Sequence, residues 1–189
     1  NIYFLSTLTG LTFNNTYKIY KQIRLSSKNY IIKEDFLGIL DFLKMIYFIY
    51  NLRKIKINKI TSKNIDLSYL INEDLSLSNY SLQHSMEGFL SYQFIKNFKK
   101  RNINIKTFIN WWENQTLDKS YNYSIHKFYP NCNLYGYIGF APRDMDFQIF
   151  PTKYETVHNI IPKKIFVIGE KYKNKIKKYN PSINVDVAP

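Results

Sequence analysis

The chain has 189 residues, and 27 Lys+Arg against 14 Asp+Glu give it a formal charge of +13. Hydrophobic residues make up 45% and aromatics 17%, enough for a substantial core, which excludes wholesale disorder. The single Cys132 excludes an intramolecular disulfide framework and a Cys-cluster zinc site, while the basic surplus points to an anionic partner: nucleic acid, phospholipid headgroups or a phosphorylated small molecule.

The chain opens without Met on the apolar run Ile2-Tyr3-Phe4-Leu5 and stops at Val187-Ala188-Pro189, so it reads as an excerpt of a longer protein. Residues 1–12 lack the basic start and small-residue cleavage site of a secretory signal. Residues 2–9 have the composition of a short strand closed by Gly10, and Thr16 to Leu25 reads as a short basic helix. Lys33-Glu34-Asp35 then opens a long helix to about Leu52, with acidic residues in its first turn and Arg53-Lys54 after its last. That helix is apolar on nearly every side, which predicts burial. Asp41 and Lys44 interrupt it, so it falls short of the 18 or so apolar residues of a membrane span. Between Asp41 and Asp66 there is no acidic residue, but six basic ones: Lys44, Arg53, Lys54, Lys56, Lys59 and Lys63. This stretch is a candidate contact for an anionic surface.

Ile55 to Ile60 and Leu67 to Ile71 each read as a short strand. Asn79 to Arg101 reads as a helix, with Leu82, Met86, Leu90, Phe94 and Phe98 recurring every four residues. Ile103 to Trp112 is a predicted strand that delivers Glu113-Asn114-Gln115 at its carboxyl end. Asp118 caps a helix to about Phe128 that Pro130 stops, and Asn133 to Phe140 is strand-like with two glycines. Thr152 and Glu155 have the spacing of a capping box. Lys164 to Ile168 is a strand closed by Gly169, Glu170 to Tyr179 a basic helix, and Asn184 to Val187 a last strand. Alternation of strands and helices in the second half predicts an α/β fold: a Rossmann-like domain whose mostly parallel sheet is flanked by helices.

Parallel α/β sheets bind ligands beyond the carboxyl ends of their strands. That rule selects the loops Thr9-Gly10-Leu11-Thr12, Trp112-Glu113-Asn114-Gln115, Gly136-Tyr137-Ile138-Gly139-Phe140 and Ile168-Gly169-Glu170. Glu113 follows two tryptophans, a partly apolar setting that would raise a carboxyl pKa and suit a general acid or base. The alternative is that Glu113 and Asn114 merely cap the next helix. Gly136 and Gly139 suit either close approach of a ligand or an ordinary turn. Neither GxGxxG nor GxxxxGK[ST] occurs. His84 and Glu87 share a helical face that reads as solvated, and His126 and His158 lack ligand spacing. Asp144-Met145-Asp146 spells a DxD pair, but no metal site is expected. Exposed amides at the start of the helix after Thr152 would suit a phosphate or a sugar carboxylate.

From Ser85 to Pro189 the sequence resembles bacterial glycosyltransferases of GT-B type that build surface polysaccharide, capsule or lipopolysaccharide. The resemblance rests on Trp111-Trp112-Glu113-Asn114-Gln115, Asp118-Lys119, Phe128-Tyr129-Pro130, Gly136-Tyr137-Ile138-Gly139-Phe140, Pro151-Thr152 with Glu155, and Ile161-Pro162 through Val167-Ile168-Gly169. Phe4-Leu5-Ser6 to Gly10-Leu11-Thr12 matches more loosely, and residues 13–84 hardly at all. The resemblance implies an acceptor-side Rossmann-like domain over residues 1–169, with residues 170–189 beginning a linker or second domain. It further implies transfer of a sugar from a nucleotide sugar, as co-substrate and without another cofactor, to a glycan or lipid-linked acceptor. Glu113 is then the expected base and Asp118 the second candidate. Thr9, Gly10, Thr12, Asn114, Gln115, Gly136, Tyr137, Gly139, Phe140, Arg143, Thr152 and Glu155 are the expected substrate-binding residues.

A protein of this kind would work in the cytoplasm, with a peripheral contact to the inner face of the membrane and none to nucleic acid. The rival reading is a non-enzymatic basic module for nucleic acid or anionic membrane, although the aromatics read as core. Charge placement bears on this choice. From Thr107 to Ile160 five acidic residues face four basic ones, so the basic excess lies outside the candidate cleft.

Overall fold

The computed structural model describes the backbone of residues 1–6, 13–77, 79–143, 146 and 149–189, and their side chains save those of 13, 74–77 and 79–81. The first half is helical with small strand pairs. β1 (Phe4–Leu5) runs parallel to β2 (Tyr30–Ile31), with α1 (Phe13–Leu25) between them in the chain. The expected single helix from Lys33 to Leu52 is broken. Lys33–Phe36 forms one 3-10 turn, Leu37 and Gly38 are extended, and α2 (Ile39–Leu52) starts afresh. The carboxylate of Asp41 restarts it by accepting the Gly38 N–H at 3.0 Å, because the first amides of a helix have no backbone acceptor.

Ile55 to Ile60 is not a strand. A minimal hairpin follows instead: β3 (Thr61–Ser62) pairs antiparallel with β4 (Ile65–Asp66) across Lys63 and Asn64, both at positive φ. Of Leu67 to Ile71, expected as a strand, all but Leu67 belong to α3 (Ser68–Leu77), where Asp66 accepts the Ser68 N–H at 2.8 Å. A short apolar run is ambiguous between strand and helix, and here the Asp66 carboxylate selects helix.

α4 (Asn79–Lys100) is the organising helix. Leu82, Leu90, Phe94 and Phe98 are buried, as the four-residue spacing predicts, and so is Ile95 beside them, whereas Met86 of the same series is exposed. It crosses α5 (Thr116–Phe128) closely, since Gly88 leaves room for Thr116 and accepts the Ser120 hydroxyl. On its other side, Asn97 donates to the Phe36 carbonyl and the Asp41 carboxylate, each at 2.9 Å, and buried Lys33 pairs with Glu87 at 2.5 Å.

The second half builds a four-stranded, all-parallel sheet: β5 (Thr107–Trp111), β6 (Asn133–Ile138), β7 (Lys164–Val167) and β8 (Val185–Val187), in that order. α5, the short α6 (Lys153–Val157) and α7 (Glu170–Tyr179) lie in the connections between successive strands. This mixed α/β architecture agrees with a Rossmann-like sheet. α7 and β8 continue the same sheet, with Ile165 to Val167 paired to Val185 to Val187.

Alternate residues of a strand face opposite sides. One side carries Leu134, Ile138, Ile165, Val167 and Val185, all buried beneath helical residues that include Phe94, Tyr121, Ile125 and Ile176. The other carries Ile109, Trp111, Tyr135, Tyr137 and Phe166. Ile109 is 67% exposed and Trp111 53%, while Tyr135, Tyr137 and Phe166 are half-buried, so of the aromatics expected as core Trp111 is an exception. Parallel sheets normally have both faces covered; among the described residues one face is buried and the other only partly covered.

Candidate functional site

The loop after β5 is held from below. Asp118, one turn into α5, turns its carboxylate back and accepts the Glu113 N–H at 2.9 Å and the Gln115 N–H at 3.2 Å. Burial pushes its pKa up; those two amides pull the other way without cancelling it. Asp118 is therefore a capping residue that shapes the loop, and its carboxylate faces backbone rather than a cleft. This agrees with its reading as a cap of α5. Neither Glu113 nor Asn114 caps α5.

Asn114 takes the left-handed conformation at φ 60, which Asn tolerates better than most residues, and buries its side chain. Its amide donates to Glu155 at 3.2 Å. The same carboxylate pairs with Lys119 at 2.7 Å and closes a capping box with Thr152, accepting the Thr152 N–H at 2.7 Å while the Thr152 hydroxyl accepts the Glu155 N–H at 3.2 Å. Burial raises the Glu155 pKa, but Lys119 and the Thr152 donors outweigh it and hold the group below its ordinary value. Asn114, Thr152 and Glu155 are thus brought together as an internal clamp between the β5 loop and α6. Sequence reasoning missed Lys119 in this clamp, although its position one turn into α5 was the available signal.

Glu113 stands on the other side of the loop. Its Oε1 accepts the Trp111 indole N–H at 2.8 Å, and its Oε2 accepts the Gln115 amide at 2.7 Å. The expected apolar setting is replaced by two neutral donors, which fix the carboxylate and leave lone pairs on both oxygens. Trp111 also packs edge-on against Tyr137 at 5.8 Å and stacked against Phe140 at 6.2 Å between ring centroids. Gly139 sits beneath these rings: a Cβ there would lie 2.5 Å from Trp111 and 2.6 Å from Tyr137. Glu113, Gln115, Tyr137, Gly139 and Phe140 are therefore gathered at one carboxyl end of the open sheet face. Trp111, which holds the carboxylate, was not among the expected site residues. Its alternation with Ile109 on the strand was the signal.

Two expected residues fall elsewhere. Gly136 faces the core, where a Cβ would lie 2.6 Å from Pro162 and 3.0 Å from Trp112; it serves packing, not turn or ligand. Arg143 is engaged with Asp146, side chain to side chain at 3.3 Å and backbone N–H to carboxylate at 2.7 Å, a local pairing apart from the Glu113 cluster. Thr9, Gly10 and Thr12 lie outside the described residues, as does Asp144 of the DxD pair. Among the described residues no group of three or more His, Cys, Asp or Glu is placed to hold a metal ion.

The chain matches no family model, no curated protein and no solved structure.

Proposed function

We propose that the chain is the acceptor-side half of a GT-B glycosyltransferase that moves a sugar from a nucleotide sugar to a surface-polysaccharide or lipopolysaccharide acceptor. The observation that carries this reading is Glu113, a carboxylate oriented by Trp111 and Gln115 at the carboxyl edge of a parallel sheet, beside the rings of Trp111, Tyr137 and Phe140. Aromatic walls with a few convergent polar groups suit a sugar, whose C–H faces lie against rings while its hydroxyls seek acceptors.

In a direct displacement, the acceptor hydroxyl oxygen forms a bond to the anomeric carbon as that carbon's bond to the donor phosphate breaks. The hydroxyl proton passes to Glu113, and the nucleoside diphosphate leaves with the bonding electron pair. A general base of this kind contributes about 10²–10⁴-fold. The transition state has oxocarbenium character, as in glycoside hydrolysis. In this architecture the second domain holds most of the donor.

The open aromatic face also has the look of a platform for single-stranded nucleic acid. Its one lysine on the strands, Lys164, is already paired with Asp186 at 3.3 Å, whereas tracking a phosphate backbone takes several free cations. The sugar reading is therefore preferred. Assaying the intact protein against a panel of nucleotide sugars with glycan acceptors tests it. Transfer from at least one donor is expected; binding of single-stranded oligonucleotides that weakens steeply with salt, without any transfer, would replace it.

A further inference from the structure

The sequence predicts that α2 is buried, and the structure overturns this. Asp41 and Met45 are buried, and Phe48 stacks on Phe89 of α4 at 4.9 Å between centroids. These residues mark the inward face. The outward face carries Ile39, Leu40, Leu43, Ile46, Tyr47 and Tyr50, and even its central residues are largely open, Leu43 at 55%, Ile46 at 59% and Tyr47 at 69%. A contiguous apolar face of this kind on a surface helix marks an interaction site.

From Lys44 to Lys63 the charges along the chain are of one sign. Lys44 lies on the helix, Arg53, Lys54, Lys56, Lys59 and Lys63 follow it, and all six are exposed. Lys54 sits over the ring of Tyr50, its Nζ 3.9 Å from the centroid, which places a cation directly on the apolar face. Asp41, the acidic residue of the helix, is turned inward onto Gly38 and Asn97. Fourteen residues give α2 a length of about 21 Å, short of the roughly 30 Å of a hydrocarbon core. No described helix is long and apolar enough to cross a membrane.

We propose that α2 lies in the interface of an anionic lipid bilayer. Leu43, Ile46, Tyr47 and Tyr50 enter the acyl boundary, while Lys44 and the cations from Arg53 to Lys63 engage the headgroups. An apolar face a helix wide with a basic flank is the physical form of such a binder. Another protein chain could cover the apolar residues, but nothing in that contact would call for six cations with no acidic residue among them. This inference stands apart from the proposed sugar transfer: either can fail without the other.

Co-sedimentation of the intact protein with vesicles of phosphatidylcholine, with and without phosphatidylglycerol, tests it. Binding is expected with the anionic vesicles and should weaken as salt rises. The combined variant Leu43→Ser, Ile46→Ser, Tyr47→Ser should bind at least tenfold more weakly, with its circular dichroism unchanged because the three side chains are exposed. The combined variant Lys54→Gln, Lys56→Gln, Lys59→Gln should lose about a hundredfold, at about fivefold per charge. Failure to bind anionic vesicles, or equal binding by the serine variant, overturns the proposal. So does a parent protein that is dimeric and is made monomeric by the serine substitutions, since a second copy would then be the occupant.

Discussion

Replacing Gly136 by alanine puts the packing account under the sharpest strain. Gly136 lies in β6 between β5 and β7, opposite Asn110 and Ile165. An added Cβ meets Pro162 Cγ at 2.6 Å and Trp112 Cβ at 3.0 Å, where carbon atoms rest comfortably at about 3.5–4.0 Å. Neither neighbour gives way cheaply. Trp112 is fully buried, and the ring of Pro162 is tied to the backbone entering β7. Overpacking of this order costs about 1–3 kcal/mol, against which glycine-to-alanine gains about 0.4–1 kcal/mol by restricting the unfolded chain. The net loss is about 1–2 kcal/mol, which lowers Tm by about 2–8 °C for a domain of this size. Gly169→Ala is the internal control, because nothing lies within 4 Å of its Cβ position. It should cost less than Gly136→Ala, at most about 1 kcal/mol, because glycine is the better N-cap for α7. Thermal and urea unfolding of both variants measure the difference. A Gly136→Ala protein as stable as its parent would refute the close approach of β6, Pro162 and Trp112.

Further outcomes follow from the site and from the last strand of the sheet. Asp118→Ala strands the Glu113 and Gln115 amides and should cost about 1–2 kcal/mol by urea denaturation, whereas Asp118→Asn keeps an acceptor and should cost much less. Because the folded pKa of Asp118 is raised, its contribution is greatest below the unfolded value near 3.9 and declines as pH rises through the folded one; Asp118→Asn should remove that decline. Glu155→Ala breaks the Lys119 pair, the Asn114 bond and the α6 cap together, and should cost about 1–3 kcal/mol; a loss under 0.5 kcal/mol would show that the clamp is not formed. Asp186 is held down to about 2 chiefly by Lys173, then by the Val187 N–H and Lys164. Its contribution is present above the unfolded value and lost as pH falls from about 4 towards 2, so Asp186→Asn should flatten the acid limb of a stability-against-pH curve there.

Much of the parallel sheet is legible in the sequence because its determinants are local. The strands from Asn133, Lys164 and Asn184 are runs of β-branched and aromatic residues, and Thr152 with Glu155 announces α6 by spacing alone. Where expectation fails, a single contact decides. Gly38 breaks the run from Lys33 to Leu52 because Asp41 reaches back to its amide, and Asp66 turns the apolar residues after it into a helix. Burial is less legible than secondary structure. An apolar helix such as α2 and an aromatic strand such as β6 carry no mark of whether another element will cover them. At the candidate site, the position of Glu113 beyond β5 was legible, since strand ends can be read. The capping role of Asp118 was legible too, from an acidic residue at the start of α5; that Trp111 would face the carboxylate was not, because it depends on how the loop folds over itself.

The central claim is that Glu113 accepts the proton of an acceptor hydroxyl. Its most direct test is the turnover rate of Glu113→Gln in the intact protein, with the donor that the nucleotide-sugar panel identifies. Glutamine keeps the size of the side chain, its oxygen accepts the Trp111 N–H and its NH2 donates to the Gln115 amide oxygen once that amide turns over, so stability should change little while kcat falls about 10²–10⁴-fold. Turnover within twofold of the parent would contradict the account.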